Sequence, residues 1–510
     1  MKFTFRKVHY LFFGIGIFLC GLYIASTKYV QVQVVKALNS VPAFTVHSSD
    51  VEVSLWNRSI RIRNLKYTTL EDSVSENLIY GYARSIHATE INFLSWYKQR
   101  QLHIGNLEIY NPVVVYQDPE IPIKKRKDGN KKTLSLPDCI IDKVQIFSGR
   151  MAYEKENTVV GGFSGGTIDI ILSDVRTDTT NTIFSALPVT ANLQDADIRN
   201  VNVQTDKHHQ ICIDRMLYSD RNLYFSHFQY EPIISVAQFL REISNEKDYV
   251  HLYVDSLAFL KTRLIRNDKI DLQSPEVTID QLNLSVYRNK KIPDDTRKKP
   301  MYSKMLRQFA FPLQLDTVQI TNSKITYKEQ AENDNLPGLV SFDSISAQIY
   351  NLSNDSATTK NTQVQVAAKF FAQSPVVFKW NYNVNDLTDQ FSFYGEAHKI
   401  TDQSINAFVD PAINVKTKGL IDYLSFSFSG NNEEAMGKMK MKYDNFNVQI
   451  QKKDKTVNAL LTRLANFIVG KKEKQGVLVE DKIKVRRDPE RSFWNYVWLC
   501  IQKGLFKTVL

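Results

Sequence analysis

Ile141-Asp-Lys-Val-Gln-Ile-Phe-Ser-Gly-Arg-Met-Ala-Tyr153 and Leu315-Asp-Thr-Val-Gln-Ile-Thr-Asn-Ser-Lys-Ile-Thr-Tyr327 decide the fold. They align without a gap at a spacing of 174 residues. Apolar and polar residues alternate in both, the pattern of a strand with one apolar and one wet face. Each copy has Val-x-Ile, then a turn pair (Ser148-Gly149, Asn322-Ser323), then apolar-x-Tyr. Asp142/Asp316 and Gln145/Gln319 also agree, and agreement at polar positions separates an internal repeat from two merely similar strands. Ile279-Asp-Gln-Leu-Asn-Leu284 is a weaker third copy.

The same two-residue period dominates from residue 45 to 450. Val51, Val53 and Leu55 alternate with Glu52 and Ser54, and Ile60 and Ile62 with Arg61 and Arg63. Ile60–Tyr67 and Leu102–Ile109 each slip by one residue before Leu65 and Leu107, which reads as a β-bulge. Tyr (24) and Phe (29) are abundant and favour sheet. At roughly 14 residues per strand and turn, the region holds on the order of 28 strands. Helices are few. Pro232 opens one with a stripe of Val236, Phe239, Leu240 and Ile243, and Asp454 caps another running to residue 469.

Residues 10–25 (YLFFGIGIFLCGLYIA) carry no charge, and Lys2, Arg6 and Lys7 precede them. Sixteen residues give ~24 Å of helix, close to a ~30 Å hydrocarbon core. Tyr10 and Tyr23 suit the two interfaces, and the leading basic residues place the amino terminus in the cytoplasm. The exit lacks a small-x-small cleavage site, which favours an uncleaved signal anchor. Residues 29–44 extend the helix beyond the membrane.

Net charge is +11 over 510 residues. It sits in one loop (124–132, KKRKDGNKK) and in the tail, not in a basic stripe with reading residues, so nucleic acid is not an expected partner. The loop reads either as solvated or as touching anionic headgroups. Four Cys exclude a disulfide scaffold. Gly162-Phe-Ser-Gly-Gly166 fits G-x-S-x-G, but a strand-like run follows where a nucleophile elbow needs a helix, and the segment reads as a hairpin tip. His208, His209 and Cys212 are ligand types without a second cluster. No catalytic, metal or cofactor site is expected, and no enzyme activity.

In the tail, Phe493, Val497, Ile501, Leu505 and Val509 recur at i+4, with Trp494 and Trp498 beside them and Lys503 and Lys507 on the polar side. The pattern fits an interfacial amphipathic helix, and equally a helix that plugs the apolar end of the sheet. Gly504 weakens it as a helix.

The anchor and the Val51–Tyr67 unit resemble the AsmA-like family of inner-membrane-anchored periplasmic proteins, especially its Bacteroidota-type branch. So do Ile405-Asn-Ala-Phe-Val-Asp-Pro-Ala412, Gly419–Phe428, Gly437–Phe446 and the ending Arg487–Trp498. The resemblance implies a mostly β fold: a transmembrane helix, then a long curled, mainly antiparallel, repeat-built sheet with an apolar groove, few helices and a carboxyl-terminal amphipathic helix. It implies residence in the inner membrane with the bulk in the periplasm, and phospholipid or another acyl-chain lipid as partner. Outer-membrane or other envelope proteins are further partners. The expected function is to bind or pass acyl chains between membranes, or to support outer-membrane assembly. The alternative is a non-catalytic envelope scaffold with a closed β core. The expected segments are a basic tail (1–9), the anchor (10–28), its extension (29–44), two β regions (45–310 and 311–450), a helix (451–470), a basic strand and linker (471–491) and the amphipathic helix (492–510). Val144, Ile146, Val318, Ile320, Ile325 and Tyr327 are the expected groove lining.

Overall fold

The computed structural model describes residues 4–39, 44–69, 78–99, 101–118, 138–155, 163–177, 189–266, 269–331, 336–413, 415–450 and 475–509. The 124–132 loop and the 454–469 helix lie outside them. The chain is mostly β, with 22 strands among the described residues. That is fewer than the length estimate because strands run long: β14 alone covers Lys269–Asn289.

Two compact units form, and neither boundary falls at residue 310. The first comprises Met1–Lys207 and Ile213–Asp220, the second His208–Cys212 and Arg221–Leu510. A break at 310 would separate β14 from β15 (Leu313–Gln330), which pair from Leu272↔Leu313 to Asn289↔Gln330.

In the first unit α1 (Thr4–Asn39) precedes β1 (Phe44–His47) and β2 (Asp50–Ser54), which both pair with β3 (Ser59–Thr69). Next come β4 (Leu78–Thr89), α2 (Phe93–Gln99), β5 (Leu102–Tyr110), β6 (Val113–Asp118), β7 (Cys139–Lys155), β8 (Phe163–Thr177) and β9 (Val189–Gln204). β10 (His209–Ser219) is divided between the units. β5 and β6 act as two halves of one strand, antiparallel to β4 and parallel to β7.

The second unit holds β11 (Asn222–Pro232), α3 (Val236–Glu242), β12 (Tyr249–Leu260), β13 (Arg263–Arg266), β14, α4 (Tyr302–Arg307), β15, β16 (Gly338–Ser353), β17 (Thr362–Phe370), β18 (Ser374–Tyr382) and β19 (Phe391–Thr401). It closes with α5 (Asp402–Ile413), β20 (Val415–Gly430), β21 (Glu434–Ile450), β22 (Gln475–Arg486) and α6 (Phe493–Val509). Here β14 and β15 are parallel, and the remaining described pairings are antiparallel. Each repeat copy, β7 and β15, is thus the second strand of a parallel pair. A parallel pair needs a crossover of a dozen residues or more, which accounts for the long connection, residues 290–312, between β14 and β15.

Ser148-Gly149 and Asn322-Ser323 are not turns. Both copies run straight through as single strands, and Ser148 (φ 52°) and Asn322 (φ 50°) are left-handed residues at bulges. The inserted position shifts the alternation by one, so Ile325 and Tyr327 return to the face of Val318 and Ile320. The device recurs as apolar-x-apolar-x-left-handed residue. Examples are Ile60-Arg-Ile-Arg-Asn64, Ala196-Asp-Ile-Arg-Asn200, Leu223-Tyr-Phe-Ser-His227, Val277-Thr-Ile-Asp-Gln281 and Val340-Ser-Phe-Asp-Ser344. The slip before Leu65 is one of these. That before Leu107 is not, for the left-handed residue of that strand is Asn111. The third, weaker copy, Ile279–Leu284, lies in β14, where Val277 and Ile279 are beside Val318 and Ile320. α3 begins at Val236, capped by the Ser235 hydroxyl, and not at Pro232.

Candidate functional site

The bulges keep apolar side chains of successive strands on one face, since directly paired residues share a face. In the second unit Leu257 and Phe259 pair with Ile279 and Val277. These lie beside Ile320 and Val318, which pair with Ala347 and Ile349. Beyond the bulge line, Leu284, Ile325 and Phe342 continue the face. The packed cluster here is Val277, Leu315 and Val318 with Leu257, Phe259, Leu272, Ile279, Leu313, Ile320, Ile349 and Leu352. Every member comes from a strand. Of the expected lining, Val318 is 4% exposed, wedged under larger neighbours, whereas Ile320, Ile325 and Tyr327 remain part-exposed. In the first unit Val144 is likewise buried and Ile146 part-exposed.

This face ends in charge. Past Val286 comes Arg288, bidentate to Asp248 (2.6 and 2.7 Å) and 3.2 Å from Glu246. Lys290 pairs with Glu246 at 2.7 Å, and the Tyr327 hydroxyl donates to Glu329 at 2.6 Å. Burial, reinforced by the Glu329 charge, raises the Tyr327 phenol and keeps it a donor. Arg491 ties the carboxyl-terminal linker to the group through Asp294 and Glu246. The cations are matched by acids, so this end is a polar stop to the apolar face.

The same unit's carboxyl-terminal strands are built differently. Phe391, Phe393, Phe428, Met439, Met441, Ile483 and Val485 are all buried, and helices supply the second layer. Phe493 of α6 stacks on Trp380 (4.7 Å between centroids) and meets Phe391 edge-on. Tyr496, Val497 and Cys500 continue the buried stripe, while α4 adds Leu306 and α5 adds Ile405. Burial pushes the Cys500 thiol up to about 12. Gly437 lies under Phe428, where a Cβ would come within 2.3 Å of the Ser427 carbonyl.

Phe493, expected at a membrane surface, is 2% exposed and belongs to this core. An apolar helical stripe is equally satisfied by a sheet, and here the sheet takes it. Trp494 (51% exposed) touches Phe378 and Trp380, and Trp498 meets Phe408 of α5, each leaving part of its ring in solvent. Lys503 is exposed, and Lys507 donates to the Lys482 carbonyl and lies near Glu480. The helix runs through Gly504 because the missing side chain lets it approach Met439, whose Cε a Cβ would meet at 2.5 Å.

Ser164 sits within β8 between Ala152 and Asn202, so the G-x-S-x-G segment is neither a hairpin tip nor a strand-to-helix elbow. His208 contacts Glu242, and His209 stacks on Tyr230, both against Phe239 of α3. Cys212 approaches Glu231. Among the described residues no three His, Cys, Asp or Glu side chains gather as a metal site requires. Tyr23 is exposed on α1, and the Tyr10 side chain lies outside the described residues. Among those residues no helix is long and apolar enough to cross a membrane.

No protein-family model matches the chain, and no curated protein matches it.

Proposed function

We propose that the protein is a membrane-anchored, AsmA-like periplasmic protein that binds lipid acyl chains on the strand-built apolar face of β12–β16. The observation that carries this is the strand-only cluster around Val277, Leu315 and Val318. Leu257, Phe259, Ile279 and Ile320 are only part-buried there, whereas Phe391, Phe393, Phe428, Met439 and Met441 of the same unit are buried beneath α6. A chain of sixteen carbons costs ~13 kcal/mol to hold in water at about 0.8 kcal/mol per methylene. An apolar strand face relieves most of that cost without chemistry, and the Arg288–Glu246–Glu329 end bounds how far a tail can slide. Lipid passage between membranes, or support of outer-membrane assembly, follows from this capacity. α1, with its uncharged 10–25 run, provides the inner-membrane anchor.

Photo-crosslinking amino acids at Ile146 and Ile320 of the full chain, expressed in cells, test the reading, with Met439 as the sealed control. Lipid adducts are expected at the first two positions and not at Met439. Only intraprotein links at Ile146 and Ile320 would refute lipid binding and leave the closed-core envelope scaffold, which the α6-covered strands already resemble.

A further inference from the structure

The most exposed aromatic residues of the first unit lie together. Trp56 (86% exposed) tops the β2–β3 turn, and Leu94 (61%) and Tyr97 (85%) project from α2. The turn and α2 are joined, because the Ile91 amide donates to the Arg58 carbonyl at 2.9 Å and Phe93 packs in one cluster with Ile60. On α2, Leu94, Tyr97 and Lys98 fall at i, i+3 and i+4, so they form one outward face. Exposing a Trp, a Tyr and a Leu on two joined elements is costly in water and gives nothing to this unit's core.

α1 gives the level at which the group sits. Residues 17–25 are exposed all round, while Thr27, Val30, Gln31, Val34 and Leu38 form a half-buried stripe facing the sheet. The Gln31 side-chain amide donates to the Val51 carbonyl at 2.6 Å. β1 begins five residues after α1 ends, so β1 and β2 return alongside the helix, toward its amino-terminal part. From Val51 to Trp56 the strand and turn descend about 10–16 Å at ~3.3 Å per residue. The same descent along α1, at ~1.5 Å per residue, reaches roughly residues 20–24. There the helix has left the sheet and shows Leu22, Tyr23 and Ile24 to its surroundings. Arg58 in the same turn and Lys98 on α2 are exposed and add positive charge to the group.

We infer that Trp56, Leu94 and Tyr97 form a membrane-docking patch that seats the first unit on the anionic bilayer entered by α1. Trp and Tyr prefer the headgroup boundary, and Lys and Arg beside them gain from anionic lipid. The patch fixes the tilt of the first unit's strands over the bilayer. This rests on α1 being the anchor.

The full chain is reconstituted into vesicles of equal parts phosphatidylethanolamine and phosphatidylglycerol with brominated acyl chains, and tryptophan quenching is read. In a Trp96→Phe background, which removes the tryptophan of α2, Trp56→Phe is expected to remove most of the quenchable emission, and Trp494→Phe with Trp498→Phe little of it. Leu94→Ser with Tyr97→Ser is expected to reduce quenching of the remaining Trp56. Unchanged quenching in Trp56→Phe, or its loss in the Trp494/Trp498 variant, would overturn the patch. Carbonate extraction separates the two ideas: a chain released by carbonate refutes the anchor as well, whereas a retained chain without Trp56 quenching refutes the patch alone.

Discussion

Within one unit, two stretches of sheet solve the same problem differently. Across β19–β22 the apolar face is roofed by α4, α5 and α6, and its aromatic and Met side chains are buried. Across β12–β16 the cluster draws on strands alone and stays part-exposed. The sequence alternation is equally regular in both, so it reports that a face is apolar and not what covers it. Covering depends on whether a second amphipathic element lies within reach. α6 is that element for the carboxyl-terminal strands.

The contrast yields graded expectations. Phe428→Ala should cost about 3–5 kcal/mol, because it empties a two-layered site that cannot collapse. It is read as a fall in the urea midpoint followed by tryptophan fluorescence, and a loss as small as that of a surface change would mean α6 does not seal the face. Cys500, whose thiol burial raises to about 12, should alkylate at pH 8 about three orders of magnitude more slowly than an ordinary thiol. The thiolate is the reactive form, so labelling should accelerate only as pH climbs toward that value or as α6 lifts away. Phe493→Ala, which loosens α6, should speed it, and rapid labelling of the wild-type chain would contradict the sealed core.

At the bulges, Asn322→Val should cost about 1–2 kcal/mol, since a β-branched residue resists the left-handed region, whereas Asn322→Gly should be nearly neutral. Equal effects of the two would mean the bulge does not hold the apolar face in register. Ile320→Ala should cost about 1 kcal/mol in thermal or urea unfolding, because the side chain is only part-buried to begin with.

Much of the sheet was legible because strand alternation is local, and Leu65 showed a bulge by its parity alone. Ser148-Gly149 and Asn322-Ser323 misled because a left-handed residue in a turn and one in a bulge have the same composition. Only the resumption of apolar-x-Tyr on the shifted parity tells them apart. α5 gave little signal, since Pro411 lies inside it. The destination of Phe493 could not be read, because Trp380 and Phe391, the rings it packs on, are more than 100 residues earlier in the chain. The candidate lining was legible as a face, but the burial of Val144 and Val318 beneath their neighbours was not.

The most direct measurement is phospholipid per chain by mass spectrometry after purification of the full-length protein, comparing wild type with Ile279→Asp/Ile320→Asp. The account predicts stoichiometric acyl lipid on the wild type and its loss from the variant, with the circular dichroism of the sheet retained. Equal lipid on a folded variant, or none on the wild type, would contradict an acyl-binding face.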